Sequence, residues 1–238
     1  MPNLILVRHG QSEWNLKKRF TGWVDVDLTE QGKQEALKAG ESIKKIKLNI
    51  DYFFSSFQLR AINTLKIIRN TLGDDKQFIR AWQLNERHYG SLTGLNKDEM
   101  KEKLGEKKIY EFRRSWDIRP DPLDRQNPYH PLNIEVYKDI PKENIPDTES
   151  LKDTYERVIQ FYKNEIQNKL LDNKNILISA HGNSIRALCK YLFKLDKDKI
   201  SLLEMPTGNP LLIDLDILLN IKECFYLDKD RAKNLLVF

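Results

Sequence analysis

Cysteine is scarce, with only Cys189 and Cys224 in 238 residues. Two thiols that far apart make no disulfide framework and show no metal-ligand spacing, so reduced, packed side chains and a cytoplasmic setting are expected. Long apolar runs are also missing, and none approaches the ~20 residues that a membrane helix needs. The opening Met1-Pro2-Asn3 carries no basic leader and the apolar run at 4–7 is short, which argues against a secretory signal. Neither a GxGxxG nor a Walker pattern occurs, and no His, Cys, Asp or Glu cluster has metal spacing. No metal is therefore expected.

What remains is ordinary globular material. Hydrophobic residues make up 40% of the chain, enough to build a core and exclude wholesale disorder. The length suits one large domain with an insertion, at about 150 residues per domain. Lys and Arg number 40 against 35 Asp and Glu, for a net charge of +5. A small positive excess fits nucleic acid, an anionic metabolite or no partner at all, since net charge speaks to association and not to fold.

Strand-like and helix-like segments alternate. Residues 3–7 form a short apolar run that opens into Arg8-His9-Gly10, the pattern of a buried strand ending in a loop. Thr29 caps a helix to about Ile46, 51–55 reads as a strand, and a helix from near Gln58 stops at Gly73. Residues 82–147 differ: they hold most of the nine prolines, many charges and two short helix candidates, 96–104 and 106–115. That composition predicts a cap inserted over a sheet. The alternation then resumes with a Ser150/Asp153 capping box, a long helix, a strand at 175–179 ending in Ala180-His181-Gly182-Asn183, and a further helix. Strands at 211–215 and 222–226 close the pattern, followed by a tail at 229–238. The fold class predicted is α/β: three layers, α/β/α, with a mainly parallel sheet and an inserted helical or irregular cap, in a single domain spanning 1–238.

In such sheets ligands sit beyond the carboxyl ends of the strands, where both His9 and His181 fall. A histidine there acts as a nucleophile if one ring nitrogen is neutral and the other is fixed by a hydrogen bond. Arg8 beside His9 favours the neutral imidazole and offers a fork to phosphate oxygens, and Gly10 lets the backbone approach a ligand. His181 stands at a strand-to-helix junction, where backbone N–H groups favour an anion.

The ordered set Leu6-Val7-Arg8-His9-Gly10 and Ala180-His181-Gly182-Asn183 resembles the histidine phosphatase superfamily. Phe20-Thr21-Gly22-Trp23, Ser55-Ser56 with Arg60-Ala61, Leu84 through Gly90, Leu95-Asn96-Lys97, Arg113-Arg114-Ser115 and Pro206 through Pro210 narrow it. Together these segments resemble the 2,3-bisphosphoglycerate-dependent phosphoglycerate mutases, from residue 3 to about 228. The resemblance implies that His9 becomes phosphorylated, with Arg8, Arg60 and His181 around the transferring group and Gly182 and Asn183 helping. It gives Glu86 the proton relay, places Asn15, Thr21 and Gly22 against substrate or phosphate, and has Arg87, Tyr89, Lys97, Arg113 and Arg114 hold the glycerate carboxylate and the resting phosphate. 2,3-Bisphosphoglycerate would prime the enzyme, 2- and 3-phosphoglycerate would be the substrates, and a homodimer is implied. His88 and His130 match no catalytic role.

The sequence departs from the family at Arg119-Pro120-Asp121-Pro122 and in a tail shorter than in many members. Weaker closure would favour hydrolysis of a phosphoenzyme, so the alternative is a phosphohistidine-dependent phosphatase acting on small phosphorylated metabolites. A non-catalytic nucleic-acid binder would spread its Lys and Arg along one face. Here Arg8, Arg60, Arg87, Lys97, Arg113 and Arg114, set against Glu86, account for the whole charge excess at one proposed site.

Overall fold

The computed structural model describes residues 1–232. Its first strand, β1 (Asn3–Arg8), shows why a continuous apolar run is needed. Leu4 and Leu6 enter one hydrophobic cluster while Ile5 and Val7 enter another, so alternate side chains feed two cores on opposite faces of one sheet. Helices α2 (Glu30–Lys45) and α3 (Leu59–Leu72) cover the Ile5/Val7 face, with Ala39, Ile43, Leu65 and Ile68 packed inward. Thr29 caps α2 through its side chain, and Gly73 ends α3 at φ 71°, a left-handed conformation that favours glycine. A short turn of helix, α1 (Glu13–Leu16), follows β1.

The sheet runs β3-β2-β4-β1-β5-β6. Strands β2 (Tyr52–Ser55), β3 (Ile79–Arg80) and β4 (Ile176–Ala180) lie parallel to β1, and β5 (Leu211–Leu215) and β6 (Ile221–Tyr226) form an antiparallel hairpin at one edge. The mainly parallel, helix-covered sheet read from the sequence is therefore the fold observed. β3 is the strand that pattern reading misses, because two half-exposed residues carry no periodicity.

The segment between the β3 edge and the second half of the sheet contains α4 (Lys97–Leu104), α5 (Glu106–Arg114) and several 3₁₀ turns. It packs through two small clusters apart from the sheet cores: Phe20 with Leu92, Met100 and Ile109, and Trp23 with Tyr137, Ile140 and Ile145. Both clusters include a residue of the loop after α1. Helix α6 (Leu151–Phe161) then starts at the expected capping box, in which Ser150 and Asp153 satisfy each other's backbone N–H. It continues through a π turn at Tyr162–Ile166 into α7 (Gln167–Leu171). Helix α8 (Gly182–Leu192) packs beside α6 on the Leu4/Leu6 face, and α9 (Lys199–Leu202) leads towards β5.

Register places the site. Arg8 of β1 pairs with Ala180 of β4, and the His9 N–H donates to the Ala180 carbonyl at 3.0 Å. The residues following the two strands, His9 and His181, therefore leave the sheet side by side. β2 pairs with the far side of β4 at Ser55–Ser179 and delivers Ser56 to the same point. In the tail, Arg231 bonds Asp228 and the Gly208 carbonyl. The rest of the tail read at 229–238, residues 233–238, lies outside the described residues. Among the described residues no helix is long and apolar enough to cross a membrane.

Candidate active site

The rings of His9 and His181 stand 5.0 Å apart, tilted by 59°. Both are buried. His9 Nδ1 lies 2.7 Å from the Gly10 carbonyl, an acceptor only, so Nδ1 carries the proton and Nε2 is left with its lone pair. Burial first, then Arg60 and Arg8, hold the His9 pKa well below the ordinary 6.5 despite the Gly10 carbonyl. His181 is lowered in the same way, by burial and then by Arg60 and His9. Its Nε2 meets Ser56 Oγ at 2.7 Å, while Nδ1 has no hydrogen-bond partner among the described residues.

Gly10 serves a purpose other than the ligand approach expected from the sequence. A Cβ there would fall 2.1 Å from the Gly32 carbonyl oxygen, and one on Gly32 would fall 2.1 Å from the Gln11 carbonyl oxygen. Two glycines thus let the His9 loop lie backbone to backbone on the first turn of α2. The Gly10 N–H donates to Thr64 and the Gln11 N–H to Glu35. The loop is clamped on the side away from the ligand.

A cavity of about 340 Å³ opens in front of His9, lined by six basic side chains against two carboxylates. Arg60, buried on α3, donates to the Gly22 and Val24 carbonyls at 2.9 Å each. Arg8 donates to the Met205 carbonyl at 2.7 Å. Neutral carbonyls orient both guanidinium groups, so their charge stays available to an anion. Gly22 offers its carbonyl to Arg60 from a left-handed turn with φ +54°. Asn15 and Thr21 line the same wall, and Asn15 Oδ1 is tied to the Ser12 N–H in the cap of α1.

The opposite wall comes from the segment after β3. The Glu86 carboxylate accepts at Oε1 from the Arg87 N–H (2.8 Å) and the Asn183 N–H (3.2 Å). The Asn183 amide nitrogen, expected to help hold an anion, thus grips Glu86. Tyr89 receives a hydrogen bond from the Asn183 side chain at 3.1 Å. Burial would push the Tyr89 phenol up, but Arg87, Arg113 and Lys97 together outweigh it, and its pKa falls below the ordinary value. Lys97 is lowered by burial and by Arg113 and Arg8. Arg113 and Arg114 project from the end of α5, and Arg114 is held by Glu204 at 2.6 Å. Gly182 completes the lining at the start of α8.

Two of the residues named from the sequence lie off the cavity wall. His181 is fully buried with its ring beside that of His9, and Arg87 is fully buried beside Tyr89, 4.6 Å from its ring, donating to the Phe112 and Arg113 carbonyls. Its Nη2 fixes the end of α5, while its Nε and Nη1 have no hydrogen-bond partner among the described residues. Conversely, Arg186, Glu204, Met205 and Pro206 line the cavity. Arg186 had no signal in the sequence beyond its place one turn after His181. It donates to Asn183 Oδ1 and the Ile200 carbonyl, and burial, then Arg114 and Arg87, push it down to about 9. Among the described residues no group of three or more His, Cys, Asp or Glu side chains is placed to hold a metal ion.

Comparison with known proteins agrees with this geometry. The model of the histidine phosphatase superfamily (branch 1) matches residues 4–130 and 124–216. A 2,3-bisphosphoglycerate-dependent phosphoglycerate mutase of Pelagibacter ubique is 78% identical over the full length of both chains. One from Maricaulis maris is 47% identical, covering 99% of this chain and 98% of its own. Among solved structures, a mycobacterial glucosyl-3-phosphoglycerate phosphatase superposes with a TM-score of 0.67 at 22% identity, over 90% of this chain and 93% of that one, which is a likeness of fold. The chain belongs to the histidine phosphatase superfamily, and within it to the 2,3-bisphosphoglycerate-dependent phosphoglycerate mutases.

Proposed function

We propose that this chain interconverts 3-phosphoglycerate and 2-phosphoglycerate through a phosphoryl group carried on His9, with 2,3-bisphosphoglycerate as the priming donor. The observation that carries the reading is the state of His9. Its imidazole is neutral, locked through Nδ1 on the Gly10 carbonyl, and set in a basic cavity opposite a carboxylate. The 78% identity to a mutase supports the choice of substrate.

His9 Nε2 attacks phosphorus, the N–P bond forms, and the P–O bond to the glycerate breaks. Glu86 protonates the departing alkoxide. Its Oε1 is occupied by two backbone N–H groups, so Oε2 is the oxygen that carries the proton. In the return step Glu86 takes the proton from the acceptor hydroxyl, that oxygen attacks phosphorus, and the N–P bond breaks. Arg8 and Arg60 stabilise the charge on the equatorial oxygens. If Ser56 donates its hydroxyl to His181 Nε2, the proton of His181 sits on Nδ1, which then has a phosphoryl oxygen as its partner. Tyr89, Lys97, Arg113 and Arg114 hold the carboxylate and the resting phosphate, with Asn15, Thr21 and Gly182 on the remaining walls.

The donor carries two phosphoryl groups and a carboxylate, three negative regions in all, and the six basic side chains around a cavity of about 340 Å³ suit it. Residues 82–147 form the cap over this site in the same reading. A cytoplasmic location, supported by two free thiols, and a homodimer, supported by the family likeness, complete it. A coupled assay with 3-phosphoglycerate and catalytic 2,3-bisphosphoglycerate tests the function. 2-Phosphoglycerate forming faster than free phosphate is the expected result; free phosphate forming faster would make the chain a phosphatase.

A further inference from the structure

Behind Glu86 lies a pair of buried charges that touches no part of the cavity. Arg157, on α6, and Glu149, just before its capping box, have side chains only 9% and 4% exposed. Every one of the five guanidinium N–H groups has an acceptor. Nε donates to Glu149 Oε1 at 2.7 Å, and Nη2 to Glu149 Oε2 at 2.9 Å and to the Glu86 carbonyl at 3.0 Å. Nη1 donates to the Gln83 carbonyl at 2.6 Å and the Asn85 carbonyl at 2.9 Å. Glu149 Oε2 also accepts the His88 N–H at 2.8 Å. The Glu86 N–H, in the same peptide unit as the Asn85 carbonyl, donates to Gln58 Oε1 at 2.9 Å.

We infer that Arg157 and Glu149 are positioning residues for the proton transfer at Glu86. The inference rests on the role given to Glu86 above. Residues 85–89 belong to no helix or strand, so their backbone groups lack a ladder to fix them. The Arg157–Glu149 fork replaces that ladder and ties both sides of Glu86 to α6, a helix fixed by its capping box and by Leu151 and Val158 in the core. A buried ion pair is a weak source of stability, since desolvation offsets much of its attraction. A planar fork with five satisfied donors instead gives geometric precision, which a lysine with three donors at one point does not reproduce. Misplacing a catalytic group by 1 Å costs about 10²-fold in rate.

The test uses two phosphoryl donors that differ in their need for a proton. Transfer from 2,3-bisphosphoglycerate to His9 expels an alkoxide that Glu86 must protonate, whereas p-nitrophenyl phosphate expels a phenolate that leaves without one. Single-turnover phosphorylation of His9 is measured with both donors in the wild type, Arg157→Lys, Glu149→Gln and Glu86→Gln, with melting curves to confirm folding. Arg157→Lys and Glu149→Gln are expected to slow the bisphosphoglycerate reaction by about 30- to 100-fold and the p-nitrophenyl reaction by less than about threefold. Glu149→Gln keeps the shape and removes one acceptor, so it serves if Arg157→Lys does not fold. Equal slowing with both donors, or no slowing with either, overturns the positioning role. If Glu86→Gln itself fails to separate the donors, the role of Glu86 is wrong and the clamp falls with it.

Discussion

Two pairs of buried histidines meet ring to ring in this molecule: His9 with His181 at 5.0 Å, and His88 with His130 at 6.1 Å. Residue type and burial are the same, but the wiring differs. In the second pair three of the four ring nitrogens serve the protein, and the fourth, His88 Nε2, is buried without a hydrogen-bond partner among the described residues and lies off the wall of the basic cavity. His88 Nδ1 accepts the Gly90 N–H, and His130 accepts the Leu132 N–H at Nδ1 and contacts Asp147 at Nε2. In the first pair one nitrogen of each ring is anchored and the other is left over, beside Arg8 and Arg60. Burial alone therefore makes an inert histidine. Reactivity needs a spare nitrogen and a basic cavity in front of it.

The largest effect separates the pairs outright. His9→Gln is expected to lower mutase kcat by about 10⁴-fold or more, while His88→Gln leaves kcat within about threefold. The reverse pattern in a steady-state assay would exchange their roles. Arg60→Ala is expected to cost about 10²- to 10³-fold in kcat, as for loss of a preorganised charge on the transferring group. A change confined to KM would reduce Arg60 to substrate binding. On the structural side, His88→Ala strands the Gly90 N–H in the interior, and urea unfolding is expected to show a loss of about 2–3 kcal/mol. Stability unchanged by His88→Ala would remove the contrast.

A pH dependence touches both pairs. His9, His88 and His181 all have folded pKa values below the ordinary 6.5, chiefly through burial, and His88 is pushed down to about 3. Between the folded and ordinary values the unfolded chain binds protons that the folded chain refuses. Their contribution to stability is thus complete above pH 6.5 and is lost as the pH falls. Each adds about 1.4 kcal/mol per pH unit to the slope in that window. Urea unfolding from pH 7 to pH 5 should show the decline, with a shallower slope in His88→Gln. A flat profile would mean that the buried rings are not held neutral.

The sheet was legible in the sequence because its core strands are apolar on both faces and its helices carry their own caps, at Thr29, Gly73 and Ser150. The placement of His9 and His181 just beyond strand ends was legible for the same reason. What stayed hidden depends on tertiary approach. Gly10 is small because of Gly32, a helix residue 22 positions on, and no local pattern joins the two. Arg186 and Arg157 look like ordinary helical arginines until their carbonyl partners, from Gln83 to Ile200, are brought to them. Arg87 belongs to the same motif as Glu86 and Tyr89, which line the cavity, and only the fold shows its Nη2 bound to the buried carbonyls at the end of α5.

The central claim, that His9 is the phosphoryl carrier, is tested most directly by locating the phosphate. The enzyme is mixed with 2,3-bisphosphoglycerate, quenched in alkali, and read by phosphorus NMR and peptide mass spectrometry. The account predicts one phosphoryl group on His9, stable in base and lost in acid, which disappears when 3-phosphoglycerate is added as 2-phosphoglycerate forms. A phosphoryl group on another residue, or full mutase turnover in His9→Gln, would contradict it.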